Sequence, residues 1–201
     1  MSEANKLFTF VKEMANFSLH KRILTGYPSR MKQEEILDVV DDNNIVIDQK
    51  PKDEIHKLNL KHRTSHIFVV NNLNQIFMQL RAKNKKQFPN KWDISAAGHL
   101  DAGESYLEGV KRELFEELNI DLPFENFIEI GSCSASEENG FEFVKIYKVN
   151  YSGPIKLLYE EVETGAWFDL DILDKWIKDF PENFAGGFKE IFEIYLNNIR
   201  E

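Results

Sequence analysis

The sequence predicts an α/β protein of the α+β kind, a mixed β-sheet sandwiched between α-helices, and three observations carry that expectation. Short segments with apolar residues at alternate positions fill much of the chain from residue 36 to residue 151; a segment of helical period interrupts them after Ser105; and the carboxyl-terminal part closes in helical patterns. Strands with one apolar face and helices with one apolar stripe bury both by stacking in layers. At 201 residues, 42% of them hydrophobic, the chain is long enough for one domain with a full core and an extra segment.

In chain order, Leu7, Phe10, Val11, Met14 and Phe17 recur at helical spacing, and Gly26-Tyr27-Pro28-Ser29 reads as a linker. Residues 1–30 are therefore expected to form a helical extension and residues 31–201 the main domain. The extension either packs on its own domain or offers a face to a partner or a second protomer, so a homodimer is allowed for. Ile36-Leu37-Asp38-Val39-Val40 and Ile45-Val46-Ile47 flank Asp41-Asp42-Asn43-Asn44 as a hairpin. Strands follow over His66–Asn71 and Gln75–Arg81, then near Phe127–Ala135 and Phe141–Tyr151, and helical patterns cover Trp167–Ile177 and Pro181–Ile199. Asp169, Asp171 and Asp174 lack the glycine and the closing glutamate of a calcium loop, so Asp169 or Asp171 is expected to cap a helix instead.

The helix after Ser105 carries the chemistry. Ser105 with Glu108 three residues on is a capping box, and Leu107, Val110, Leu114 and Leu118 make a stripe that packs on a sheet. Beside the stripe stand Glu113, Glu116 and Glu117, and like charges four apart cost a helix about 0.2–0.5 kcal/mol. A hard divalent cation reverses that sign, because Mg²⁺ takes oxygen ligands and bridges carboxylates to phosphates.

Charge and cysteine content narrow the partners. A net charge of -9 argues against a nucleic-acid polymer as ligand. A single cysteine, Cys133, forms no internal disulfide, and no apolar run is long enough to span a bilayer, so a cytoplasmic protein without membrane attachment is expected. Cys133, flanked by serines in a strand, reads as a structural thiol, and Trp92 as a packing residue.

The spacing Gly98, five residues, Glu104, seven residues, Arg112-Glu113-Leu114-Phe115-Glu116-Glu117-Leu118-Asn119-Ile120 resembles the signature of the Nudix hydrolases. Asn119 stands where that pattern has glycine, and asparagine is the usual substitute at a left-handed helix terminus. His62-Arg63, Asn71, Arg81, Phe88-Pro89, Trp92 and Ser95-Ala96-Ala97-Gly98-His99 are similar to the isopentenyl-diphosphate isomerase branch, over about residues 31–197. In the isomerases a cysteine that moves protons precedes the Gly-His pair. Ala97 holds that position here and has no ionisable proton, which disfavours isomerisation.

The resemblance implies the Nudix fold and a Mg²⁺- or Mn²⁺-dependent hydrolase that cleaves a diphosphate linkage in a nucleoside diphosphate derivative or related small organic diphosphate. Metal ligands would come from Glu113, Glu116 and Glu117, joined by Glu104 and the Gly98 carbonyl. Arg112 would orient the carboxylates. Glu116 or Glu117 is the first candidate for general base and the Glu160-Glu161-Val162-Glu163 run the second. Arg81 corresponds to an arginine that such proteins present to phosphates. His62 and His99 match metal-binding histidines of the isomerases, with His56 one residue out of register; substrate-orienting or structural roles for His62 and His99 are weighed ahead of ligation, while His66 reads as an ordinary strand residue. An isomerase-like enzyme and a catalytically silent nucleotide-binding module are the alternatives.

Overall fold

The computed structural model describes residues 34–158 and 161–200. The expected amino-terminal helix and its boundary at residue 30 lie outside them.

β1 (Ile36–Val40) and β2 (Val46–Pro51) form an antiparallel ribbon, and α1 (Lys52–Leu58) follows directly. Leu37, Val39 and Ile55 close a small core with Leu60. The hairpin was legible in sequence; α1 was not. Its seven residues are too few for a periodic signal, and it is set by Pro51 at its start, the buried Ile55, and Asn59 in the left-handed conformation (φ 52°) at its end.

The main sheet orders β5 (Trp92–Asp93), β4 (Ile76–Arg81), β3 (His62–Val70), β8 (Glu142–Asn150) and β7 (Ile128–Cys133), with β6 (Ala96–His99) also on β3 and β9 (Val162–Phe168) on β4. β3 and β8 run parallel, from His62 opposite Glu142 to Val70 opposite Asn150, while the other pairs are antiparallel, so the sheet is mixed. Ile67 and Val69 of β3 pack with Val110, Leu114 and Leu118 of α2 (Tyr106–Leu118). Phe68, one position out of phase, meets Tyr195 of α4 (Phe188–Asn198) on the opposite face, with ring centroids 4.6 Å apart. The period of two in a strand thus fixes helices on both sides.

Two expectations need correction. Trp167 and Phe168 end β9 rather than begin a helix, and α3 spans Leu170–Asp179. Glu163, Gly165 and Ala166 have little intrinsic strand preference, and what makes β9 a strand is its ladder with β4. Gly165 is needed there because a Cβ would come within 2.2 Å of Phe77 Cζ. In the last segment, Pro181–Asn183 is a 3₁₀ turn and helix α4 starts only after Gly187, whose φ of +77° a side chain would strain. Asp169 occupies the N-cap position of α3, yet its carboxylate accepts a hydrogen bond from Gln75 Nε2 (3.1 Å) instead of capping.

Candidate active site

Helix α2 is fixed at both ends before any charge is considered. Ser105 and Glu108 exchange both bonds of the capping box, and Asn119 closes the helix at φ 55°, ψ 37°. Val110, Leu114 and Leu118 are fully buried. With that stripe pinned to the sheet, the rotation of the helix is determined and the carboxylates follow.

Glu113 lies over β6. A Cβ built on Gly98 would stand 2.0 Å from both Cδ and Oε1 of Glu113, so the carboxylate occupies the space that any other residue at 98 would fill. Arg112 gathers the acids: Nε and Nη2 donate to the two oxygens of Glu104 (2.9 and 2.8 Å), Nη1 to Glu113 (2.6 Å) and Glu116 (3.2 Å), and Nη2 also to the His99 carbonyl (2.8 Å). Its planar fork serves several acceptors at once, which an ammonium does not. Gly109 lets Leu100 and Glu104 approach the helix, with Glu104 Oε2 at 3.2 Å from the position of a Cβ.

Glu117 is buried at 6% exposure and accepts hydrogen bonds from Gln79 Nε2 (3.0 Å) and the Ala97 amide (3.3 Å). Burial, with the Glu113 charge added, pushes its carboxyl up to about 8. Burial also raises Glu113, to about 7, against the pull of Arg112. Burial alone would weaken the Arg112 cation, but its hydrogen bonds to Glu104 and Glu113 outweigh that and hold it charged. Two acids that resist ionising, beside a third, form a donor set of hard oxygens whose negative form needs a cation.

On the other face of β6 stands a second cluster. The Nε2 atoms of His56 and His99 are 3.1 Å apart, and the three histidines His56, His62 and His99 offer nitrogens all within 4.8 Å of one another. His62 Nδ1 donates to the Leu60 carbonyl (2.9 Å), which leaves its buried Nε2 as the lone-pair nitrogen, without a hydrogen-bond partner. Glu142 Oε1 lies 3.8 Å from that atom and 3.7 Å from His99 Nε2. Burial lowers His62 to about 4 and His99 well below its usual value, so both rings are neutral at pH 7. Burial likewise raises the Glu142 carboxyl to about 7.

The helix α1 brings His56 into the cluster despite its offset in sequence. Glu142 went unread, although a sequence signal existed: it shares a strand face with Val144 and Ile146, and a carboxylate on an apolar face is anomalous. Gln79 gave no signal.

Arg81 ends β4 and is occupied, donating to Asp93 (3.0 Å) and to the Gln87 carbonyl. Glu161 is ion-paired with Lys85 and its carbonyl accepts from Ala82 N (3.0 Å), while Leu158 N donates to the Glu117 carbonyl (3.0 Å). His66 sits in β3. Trp92 packs against Phe168 and Trp176, and the buried Cys133 thiol is pushed up to about 11 by burial, as suits a structural residue.

A sheet between helices carries an arginine-gripped set of glutamates laid over a strand glycine, a set of hard oxygens suited to a divalent cation. A family model, NUDIX domain, matches residues 60–186. An uncharacterised Nudix hydrolase of Nostoc sp. is 38% identical over 168 residues, covering 83% of this chain and 99% of the relative. Another, YfcD of Escherichia coli, is 30% identical over 69% of this chain and 76% of its own length. The chain therefore belongs to the Nudix family and is a hydrolase acting on pyrophosphate bonds. Among solved structures, a protein of Deinococcus radiodurans shares the fold with TM-score 0.69 and 24% identity, over 80% of this chain and 99% of that one. At TM-score 0.55, so does a bifunctional NMN adenylyltransferase/ADP ribose pyrophosphatase of Francisella tularensis, solved with AMP and a manganese ion; the match has 19% identity and covers 68% of this chain and 41% of that one.

Proposed function

We propose that this hydrolase cleaves the diphosphate linkage of a nucleoside diphosphate derivative or a related small organic diphosphate, with Mg²⁺ or Mn²⁺ held by Glu113, Glu116 and Glu117 and supported by Glu104 and the Gly98 carbonyl. The observation that carries the reading is the Glu113 carboxylate seated over Gly98 and drawn, with Glu104 and Glu116, into one arginine fork. The ligands of the Francisella tularensis protein support both the nucleotide and the manganese. A divalent ion bound there supplies charge neutralisation of the phosphates and acidifies water.

The chain's own residues do the rest. Water attacks phosphorus, the bridging P–O bond breaks, and the attacking water's proton passes to a glutamate: Glu116, Glu117 or the nearby Glu161. Arg112 holds Glu104, Glu113 and Glu116 in register and acts as a positioning residue. Arg81 faces the phosphates once Asp93 shares it. His62 and His99, with His56 and Glu142, present borderline nitrogen donors and one oxygen that suit a second cation such as Mn²⁺ or Zn²⁺, or orient the substrate directly. Ala97 supplies only its amide, so no side chain at 97 moves a proton. A cytoplasmic site of action accompanies this reading.

The test is a hydrolysis screen over nucleoside diphosphates, nucleotide sugars and isoprenoid diphosphates, with and without Mg²⁺ or Mn²⁺. Turnover that needs the cation and drops by orders of magnitude in Glu116→Gln and Glu117→Gln is expected. Full turnover in both variants would remove the cation site from the account.

A further inference from the structure

We propose that Gln79 is a positioning residue for Glu117: with the Ala97 amide it occupies one carboxylate oxygen, Oε2, and so leaves the other, Oε1, aimed at the cation. This role rests on the cation-dependent hydrolase reading above and adds which atom of Glu117 serves that site and what aims it.

Arg112 donates to Glu104, Glu113 and Glu116, and Glu117 takes its donors elsewhere. Gln79 Nε2 (3.0 Å) and the Ala97 amide (3.3 Å) both donate to Oε2, and among the described residues Oε1 accepts no hydrogen bond. Glu113 and Glu117 are four apart on α2 and therefore neighbours on one face of the helix. They dock on consecutive residues of β6, Glu113 over Gly98 and Glu117 on the amide of Ala97. A carboxylate that rotates freely about its last bond offers either oxygen to that face. Two donors from two strands on the same oxygen remove the choice.

The strand holds Gln79 still. Its backbone pairs on both sides, with Asp93 of β5 and with Gly165 of β9, and its side chain is buried. Buried amides are tolerated when they are hydrogen-bonded, yet only one end of this one is: Nε2 has Glu117, while Oε1 has no partner among the described residues. A hydrogen bond to a charged group stabilises by about as much as an unpaired buried carbonyl destabilises, so glutamine gains the fold little at this position. Methionine has a similar length and no amide to leave unpaired, and it fills irregular core space readily. What glutamine adds over methionine is the donor at Glu117.

The probe is Mg²⁺ alone, a hard cation suited to carboxylate oxygens rather than to histidine nitrogens, titrated into the full chain while its melting temperature is followed. Wild-type melting should rise with Mg²⁺, as for any ligand of the folded state. Gln79→Met should need about 10-fold more Mg²⁺ for the same rise, the loss of a hydrogen bond to a charged group, and in a chelator should melt close to wild type. Glu117→Ala should also raise the Mg²⁺ requirement, and adding Gln79→Met to it should raise it no further, because no carboxylate is left to aim. A lower melting temperature in chelator with an unaltered Mg²⁺ requirement is the result of a merely structural glutamine. That result, or a further rise when Gln79→Met is added to Glu117→Ala, overturns the role of Gln79 and leaves the hydrolase reading standing. Wild-type melting that Mg²⁺ does not move sinks the cation site and the role of Gln79 with it. Gln79→Leu repeats the cycle if the Met variant does not fold.

Discussion

Gly98→Ala isolates the contact on which the site is built. The added methyl would sit 2.0 Å from Cδ and Oε1 of Glu113 and 2.6 Å from Oε2. Carbon and oxygen come to rest at about 3.5 Å, so the carboxylate must retreat by roughly 1.5 Å. The backbone has no such difficulty: Gly98 pairs with Ser65 in an ordinary ladder and is not among the glycines with positive φ. A retreat of that size breaks the 2.6 Å bond from Arg112 to Glu113. Hydrogen bonds to charged groups contribute about 1.5–3 kcal/mol, so apparent Mg²⁺ affinity should fall by about 10- to 150-fold and the melting temperature by several degrees. The assay is a Mg²⁺ titration of hydrolysis alongside a thermal melt. Glu113→Asp in the same chain, one methylene shorter, should recover part of the loss. Wild-type Mg²⁺ dependence in Gly98→Ala would refute the claim that the space over this glycine is what places the carboxylate.

Three further outcomes are expected. Without a cation, Glu113 and Glu117 hold protons that the unfolded chain releases near 4.5, so their contribution is complete below that pH and is lost as pH rises through about 7 to 8. The opposing His62 contribution is complete above 6.5 and buried Glu142 declines over the same window, so melting in a chelator from pH 6.5 to 8.5 should show a declining temperature that saturating Mg²⁺ makes shallower; a flat chelator curve contradicts the burial argument. Ser105→Ala removes the bond accepted from the Glu108 amide and should cost about 1 kcal/mol in denaturant unfolding, with no change in m. Arg112→Lys keeps the charge but not the fork, and should reduce kcat far more than it raises KM; equal kinetics would deny Arg112 its positioning role.

Most of the box was legible because local rules write it: a capping box, an apolar stripe at period 3.6 and an asparagine terminus need only neighbouring residues. The hairpin, β4 and β8 were legible through alternation, to within a few residues. β9 was not, since its residues prefer no strand and become one only by pairing with β4. Glu142 and Gln79 were missed for a related reason. Their partners are contributed by other strands and by α2, and no spacing along the chain encodes that meeting.

The sequence by itself determined that three glutamates and an arginine share a helix face beside an apolar stripe, because helical geometry relates residues three and four apart wherever the helix lies. Only the tertiary structure decided what that face meets, Gly98 under Glu113 and Gln79 and the Ala97 amide against Glu117, and only it drew three histidines together from α1, β3 and β6 on the other side of the sheet. Burial then raised two of the carboxyls, and burial belongs to the packed sheet and helices rather than to any segment of the chain.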